Sequence, residues 1–328
     1  MERLAEAGHA DRVLKAIMGS EAASSPIVAS WQRSSALHAL DPETVAPSWR
    51  LPSPEVASAR ERLGRLLHVA EPSLERLFFA VGGVGCSVIL ADRDGVILER
   101  RGASSDDSVF DNCGLWTGAI WSEKFEGTNG IGTCLFEQRT VTIDRDQHFF
   151  ARNSLLCCTS APIFDERGEL AAVLDVSSNR RAPGFLERAH DGPGFANLVA
   201  SAVSDAARSI EAENFRLAYP RARIVVAPGG ERLGAARLAI DRDDLVIGAT
   251  RAARLVLGIN AQTLARPTPA ADLIDSAAAD GDDIEAAERA VLQRALARSG
   301  GNVSKAAKRL DFSRATLHRK MSRLGLKH

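Results

Sequence analysis

The chain is 328 residues long, with 41 lysines and arginines against 42 acids, a formal net charge of −1 and 45% hydrophobic residues. These values fit an ordinary globular protein with room for two or three cored domains, and exclude a disordered or fibrous one. No apolar run approaches the roughly 20 residues that cross a bilayer, and the opening "MERLAEAGHADRVLKAIMGS" lacks a signal peptide's apolar stretch, so a cytoplasmic protein with no membrane partner is expected.

In chain order, the opening stretch mixes charges through a helical pattern, and "EPSLERLFFAVGG" supplies a helix ahead of the first hairpin. "GCSVILADRDGVILERRG" reads as strand, Asp-Arg-Asp-Gly turn and strand. "SAPIFDERGELAAVLDVSS" repeats the arrangement around Asp-Glu-Arg-Gly. Between them Gly127, Gly130 and Gly132 stand beside Thr128, Asn129 and Thr133. This run is a poor phosphate loop: the G-x-x-x-x-G-K-S/T spacing is missing, no Gly-Lys dipeptide occurs in the 328 residues, and the order differs from the dinucleotide fingerprint. "GFANLVASAVSDAARSIEAENFRLA" is a long helix with Phe195, Leu198, Val199, Ala202, Val203, Ala206 and Ile210 along one face. That face suits either a dimer spine or a cover on its own sheet. A third hairpin, "RLAIDRDDLVIGATRAARLVLGI", is coupled to a helix. Hairpins interleaved with helices predict an α+β class, antiparallel sheet under helical cover. Residues 261–282, rich in Ala, Asp and Pro, read as a linker.

Residues 283–328 read as a small all-α domain. "DIEAAERAVLQRALARSGG" is an amphipathic helix with Ile284, Ala287, Val291, Leu292, Ala295 and Leu296 on one side, ending at Gly300-Gly301. Asn302 caps a short helix carrying Val303, Ala306, Ala307 and Leu310. Ser313 caps a second, with Ala315, Leu317, Met321 and Leu324 inward. From Gly301 to His328, Lys305, Lys308, Arg309, Arg314, Arg319, Lys320, Arg323 and Lys327 stand against one acid, Asp311, a concentration suited to a polyanion. The order is that of a helix-turn-helix, whose second short helix enters the major groove of double-stranded DNA. Its exposed face would show Arg314, Thr316, His318, Arg319 and Lys320, and an arginine near the helix start can contact guanine bidentately.

"AAERAVLQRALARSGGNVSKAAKRLDFSRATLHRKMSRLGL" resembles the Fis-type helix-turn-helix that closes bacterial enhancer-binding transcription activators. The resemblance implies that Arg314 reads bases and that Thr316, Arg319 and Lys320 hold the backbone; Ser313, the cap, is also a candidate DNA-binding residue. His318 stands where relatives often have tyrosine or arginine. Dimerisation through the long first helix would put Ala287, Val291 and Leu292 near a seam.

"WSEKFEGTNGIGTCL", "DQHFFARN" and "CTSAPIFDERGELAAVLDVSS" resemble the sensory GAF domain of the acetoin/glycerol-type (AcoR-like) regulators, and "PIVASWQRSSALHALDPE" resembles their helical leader. The third hairpin and its helix resemble a shortened PAS-like module. The implied division is a leader at 1–64, a GAF sensor with its exit helix at 65–217, and a PAS-like segment at 218–260. The implied function is a homodimeric, ligand-responsive DNA-binding regulator, not an enzyme, without cofactor or metal. Its site would be a small, mostly apolar cavity for a short alcohol, diol, ketol or aldehyde. Trp116, Trp121, Phe125, Phe149 and Phe150 would wall it, with Glu123, Thr128, Asn129, Thr133 and His148 as hydrogen-bonding groups and Cys158 beside them. The other reading makes Gly-Thr-Asn-Gly a structural turn, with Asn129 satisfying backbone and Glu123 capping a helix. Such regulators usually carry an ATPase between sensor and DNA-binding module. The interval here lacks a phosphate-binding lysine, so action on RNA polymerase without ATP hydrolysis is expected. The rival functions are a GAF-fold redox sensor or thiol enzyme using Cys158 and His148, or a subunit that modulates a full-length activator.

Overall fold

The computed structural model describes residues 2–19, 25–44, 48–185, 193–227, 236–278 and 284–326. They fall into two compact units, residues 1–163 with 170–210, and residues 164–169 with 211–328. The helices are α1 (Glu2–Met18), α2 (Pro26–Ala36), α3 (Ser53–Leu63), α4 (Arg65–Val81), α5 (Asp107–Asn112), α6 (Glu123–Glu126), α7 (Gly130–Glu137), α8 (Pro193–Ala218), α9 (Arg251–Leu257), α10 (Ala261–Leu264), α11 (Ala270–Ala278), α12 (Ile284–Ala297), α13 (Val303–Arg309) and α14 (Arg314–Arg323). The strands are β1 (Cys86–Asp92), β2 (Ile97–Arg101), β3 (Val141–Asp144), β4 (Leu156–Phe164), β5 (Leu170–Asn179), β6 (Arg223–Val226), β7 (Arg237–Ile240) and β8 (Val246–Ala249). The class is α+β, as the sequence predicts.

In the first unit, β1 to β5 form an antiparallel sheet in the order β2-β1-β5-β4-β3. Strand β1 is buried along its whole length because the sheet carries a core on each face. On one face Val88, Leu90, Leu174 and Val176 meet Leu74 and Leu77 of α4 and Val199, Val203, Ala207 and Ile210 of α8. On the other, Ile89, Ala91 and Val173 meet Phe110, Trp121 and Ile131. The long helix therefore covers its own sheet. Leu198, predicted on the inner face, is instead 66% exposed, one residue away from the buried Val199 and so about 100° around the helix.

The three hairpins share one turn chemistry. Asp92, Asp165 and Asp241 each accept through Oδ1 from the backbone N–H groups two and four residues on, at 2.8–3.0 Å. The last turn position needs positive φ, met by Gly95 and Gly168 and, in the third hairpin, by Asp244 at 58°.

The stretch predicted as a leader is part of the first unit's core. Val13 of α1 and Val28 and Trp31 of α2 pack on Phe149 and Phe150, and Val56 and Ala59 of α3 pack on Val96 and Leu98. In the second unit, β6, β7 and β8 form an antiparallel sheet in that order. The stretch predicted as a linker contributes to the core of this unit. Ala270 is buried, and Leu264, Leu273 and Ile274 pack with Leu238, Ile240, Val246 and Ala253. Ala270, Leu273 and Ile274 recur at helical spacing, which gives the Ala/Asp-rich segment an apolar stripe to bury. Residues 279–283 lie outside the described residues.

Candidate DNA interface and sensor site

The helix-turn-helix closes around Leu292, Ala295, Val303, Ala306, Ala307, Leu317, Met321 and Leu324. Gly300 and Gly301, at φ 59° and 76°, end α12, and the Gly301 N–H closes back on the Leu296 carbonyl at 3.0 Å. Asn302 caps α13 by accepting from the Lys305 N–H at 3.0 Å, and Ser313 caps α14 by accepting from the Thr316 N–H at 3.1 Å. Two positions differ from expectation. Ala315 is exposed, two residues from the buried Leu317 and so about 200° around the helix from the inward face, and Leu292 is 1% exposed in the core of its own chain, so it is not free to form a seam with a second copy. The side chain of Ala287 lies outside the described residues.

Of the six predicted DNA-facing residues, Ser313, Arg314, His318 and Arg319 are exposed along α14, with Lys305, Lys308 and Arg309 exposed on α13. Thr316 is half-buried, its hydroxyl 2.8 Å from that of Ser313. Lys320 is turned inward. Its ammonium pairs with Glu288 of α12 alongside Arg323, and lies 5.4 Å from the centre of the Phe312 ring. Hydrogen bonding from Lys320 is the main cause holding the Glu288 carboxyl below its ordinary value. Lys320 thus ties α14 to α12.

The predicted sensor residues divide into a tight cluster and scattered walls. Glu123 is 4% exposed and accepts a fork from Arg33 of α2, Nε at 2.7 Å and Nη2 at 2.8 Å. The Ser30 and Thr133 hydroxyls donate to Glu123 Oε1 at 2.7 and 2.9 Å, and Thr128 Oγ1 is 2.7 Å from Ser30 Oγ. Asn129 caps α7: its Oδ1 accepts from the Gly132 N–H, and its Nδ2 donates to the Gly127 carbonyl, each at 2.8 Å. A Cβ on Gly132 would meet the Glu123 backbone nitrogen at 2.5 Å, and one on Gly127, at φ 59°, would meet Phe149 Cβ at the same distance. The glycine run therefore serves close backbone packing and a cap. Ser30 and Arg33 were missed by sequence reasoning, although "SWQRSS" places a hydroxyl and a cation one turn apart on an amphipathic helix.

Trp121 is buried and donates its indole N–H to the Gly114 carbonyl at 2.8 Å. Trp116 lies under the Arg100 guanidinium, 4.6 Å from the ring centre, and Phe125 sits 5.9 Å from the Trp49 ring. His148 is fully buried, and burial lowers its pKa to about 4. Its Nδ1 lies 2.8 Å from the Arg145 carbonyl and so carries the proton. Nε2 is then left to accept from Cys158 Sγ at 3.4 Å. Burial pushes all five thiols upward, Cys86 and Cys157 to about 12 and Cys134 and Cys158 well above the ordinary value, with Cys113 also raised. Thiolate, the reactive form, is suppressed throughout. No group of three or more His, Cys, Asp or Glu side chains able to hold a metal ion occurs among the described residues, and no described helix is long and apolar enough to cross a membrane.

A second buried group was not anticipated. Asp175, in the middle of β5, accepts from the Ser160 and Ser177 hydroxyls, each at 2.6 Å, and burial raises its pKa to about 6. Cavities among the described residues of the first unit are lined by residues outside the predicted set. One, of about 330 Å³, lies between the sheet and the start of α8. Another, of about 890 Å³, is lined by Ser48, Arg50, Cys113, Arg152 and Asn153, among others.

Residues 8–186 match the family described as "MimR, N-terminal domain", and residues 283–324 match "Bacterial regulatory protein, Fis family". The chain is similar to the acetoin catabolism regulatory protein of Cupriavidus necator, 34% identical over 232 residues, covering 70% of this chain and 34% of the relative. It is also similar to the propane 2-monooxygenase operon transcriptional activator MimR of Mycolicibacterium smegmatis, 31% identical over 49% of this chain and 27% of that one. A third relative is the acetoin dehydrogenase operon transcriptional activator AcoR of Bacillus subtilis, 36% identical over 34% of this chain and 18% of that one. The chain spans about a third or less of the length of these curated relatives. Among solved structures, the crystal structure of the E. coli DhaR(N)–DhaL complex matches with a TM-score of 0.51 at 18% identity, covering 72% of this chain and 78% of that one. This likeness concerns the fold alone.

Proposed function

The chain belongs to the MimR N-terminal-domain family, and from that premise we propose that it is a transcriptional regulator that binds double-stranded DNA and responds to a small molecule. The observation that carries this reading is the capped helix-turn-helix, its core closed by its own side chains, which leaves Arg314, His318 and Arg319 exposed on the second helix. Arg314, at the first turn, is the proposed base reader. Ser313, Thr316, His318 and Arg319 are proposed to lie at the interface, while Lys320 acts through Glu288 to hold the helix. The effector is proposed to be a small neutral oxygenated molecule. Acetoin, a ketol, appears in the names of two relatives and fits that class. A homodimer accounts for Phe79 on α4, Leu198 on α8 and Val291 on α12, all large and exposed. Action on RNA polymerase without ATP hydrolysis completes the proposal.

The suppressed thiols argue against the redox and thiol-enzyme alternatives, since a neutral His148 beside a protonated Cys158 is a weak hydrogen-bonded pair and not an activated nucleophile. The polar cluster at Glu123, Thr128, Asn129 and Thr133 is proposed to lock the leader onto the sensor, because these groups bond to Ser30, Arg33 and neighbouring backbone.

Salt titration of DNA binding by the full chain tests the proposal. Arg319→Ala is expected to weaken binding across sequences and reduce the slope of log K against log salt by about 1, while Lys320→Ala leaves the slope unchanged. DNA affinity indifferent to salt, or a slope unaltered by Arg319→Ala and reduced by Lys320→Ala, contradicts the assignment.

A further inference from the structure

We propose that the cavity between the sheet and the first two turns of α8 is a binding site for a small, neutral, oxygenated molecule, which seats the helix by filling the space beneath it. The proposal rests on the sensor reading above and assigns that reading a place in the fold. The cavity measures about 330 Å³, at the small end of ligand pockets. Its sheet side is formed by Cys86, Thr142, Cys157, Thr159, Val176 and Ser178, and its helix side by Phe195, Ala196 and Val199. Cys86, Thr159, Val176 and Ser178 are each 4% exposed or less, so the floor is buried.

The chemistry of the walls selects the ligand. The Thr142 and Thr159 hydroxyls lie 3.0 Å apart, and each retains bonding capacity beyond that one contact. Ser178 adds a third hydroxyl. The two thiols are held neutral by burial, their pKa values pushed to about 12. Phe185, Phe195 and Val199 supply apolar contact, while Asp144, Arg145 and Arg180 are the charged residues, none of them fully buried. A floor of hydroxyls, neutral thiols and apolar groups suits an uncharged molecule with one or two oxygens, the charged lining residues being partly or fully exposed.

The placement matters for signalling. Beyond Val199, the same helix seats Val203, Ala207 and Ile210 on the sheet, then continues out of the first unit to Ala218. A molecule held between Thr159 and Ala196 binds only where the helix start is packed down. It therefore has different affinity for seated and lifted states, which is the requirement for biasing them.

The test uses the full chain with two probes, 3-hydroxybutan-2-one and butane-2,3-diol, in ligand-dependent thermal unfolding. At least one probe should stabilise the chain saturably. Ala196→Phe, which fills the cavity from the helix side, should weaken that probe at least 10-fold while leaving the probe-free melting temperature near that of the unmodified chain. Thr159→Val, which removes one hydroxyl at constant shape, should weaken it about 3- to 10-fold. Unchanged affinity in both variants places the probe elsewhere and overturns the site, while the regulator reading stands. Failure of both probes to stabilise the unmodified chain overturns the ligand class and the proposal with it. Probe affinity lost in the variants, together with DNA affinity indifferent to the probe, supports the site and overturns the regulator reading instead.

Discussion

Glu123→Ala is expected to cost the first unit about 3–5 kcal/mol. The Arg33 side chain is only 13% exposed and Glu123 only 4%, and the two are joined by a side-on fork with two hydroxyls on the same carboxylate. Removing the carboxylate takes away both short bonds of a guanidinium that is nearly buried, and also leaves the Ser30 and Thr133 hydroxyls without their acceptor. Arg33 keeps a longer ion pair to Glu137, Nη2 to Oε1 at 3.6 Å, and lies 3.7 Å over the Phe136 ring, so the cation retains partial compensation without the short fork. Because α2 holds one end of the pair and α6 the other, the leader should loosen before the sheet does. Urea unfolding followed by tryptophan fluorescence checks this, with Trp31 reporting the leader and Trp121 the sheet side. Replacing both partners, Arg33→Met with Glu123→Leu, should cost less than Glu123→Ala alone. A single-variant loss below about 1 kcal/mol would show the pair to be solvated and would remove its role as the lock.

Asp175→Asn is expected to change the pH dependence of stability by about 3 kcal/mol in full. The native carboxyl titrates near 6 against an ordinary 3.8, chiefly through burial, with the Ser160 and Ser177 hydroxyls offsetting part of the rise. A raised acid pKa means the folded state binds the proton more tightly than the unfolded chain does. Stability contributed by the protonated form is therefore fully present below about pH 4, falls as pH rises toward 6, and stays low above it. Asparagine removes the titration. The variant should gain on the unmodified protein through that window and hold the gain at neutral pH. Denaturation midpoints between pH 4 and 7.5 provide the measurement, and a pH-independent difference between the two proteins would contradict a buried, unpaired carboxylate.

The hairpins were legible in the sequence because their determinants are local: an aspartate that bonds to its own turn, followed by a residue able to take positive φ. The helix-turn-helix was legible for the same reason, since Gly300-Gly301, Asn302 and Ser313 mark each boundary within a residue or two. The docking of the leader was not legible. Arg33 and Glu123 are 90 residues apart, and neither charge announces its partner in a chain with 81 other charged side chains to choose from or avoid. The inward turn of Lys320 had the same cause. On a helix rich in cations, only the position of Glu288 on α12 decides which one is drawn away from the DNA-facing side. The stretch at 261–278 was misread because alanine and aspartate dominate it, and its apolar stripe rests on Leu264, Ala270, Leu273 and Ile274 alone. Asp175 carried a usable signal, a lone acid inside "AAVLDVSS", whose continuous apolar run marks a strand buried on both faces.

Selection of binding sites from a random duplex pool tests the central claim most directly, using the full chain beside its Arg314→Ala variant. The full chain is expected to enrich a defined motif. The variant, losing about 1–3 kcal/mol at that motif, should enrich a degenerate one relaxed at a single base pair in each half-site. Enrichment of the same motif with equal strength by both proteins would take Arg314 out of base reading, and failure of the full chain to enrich any sequence would contradict a sequence-specific regulator.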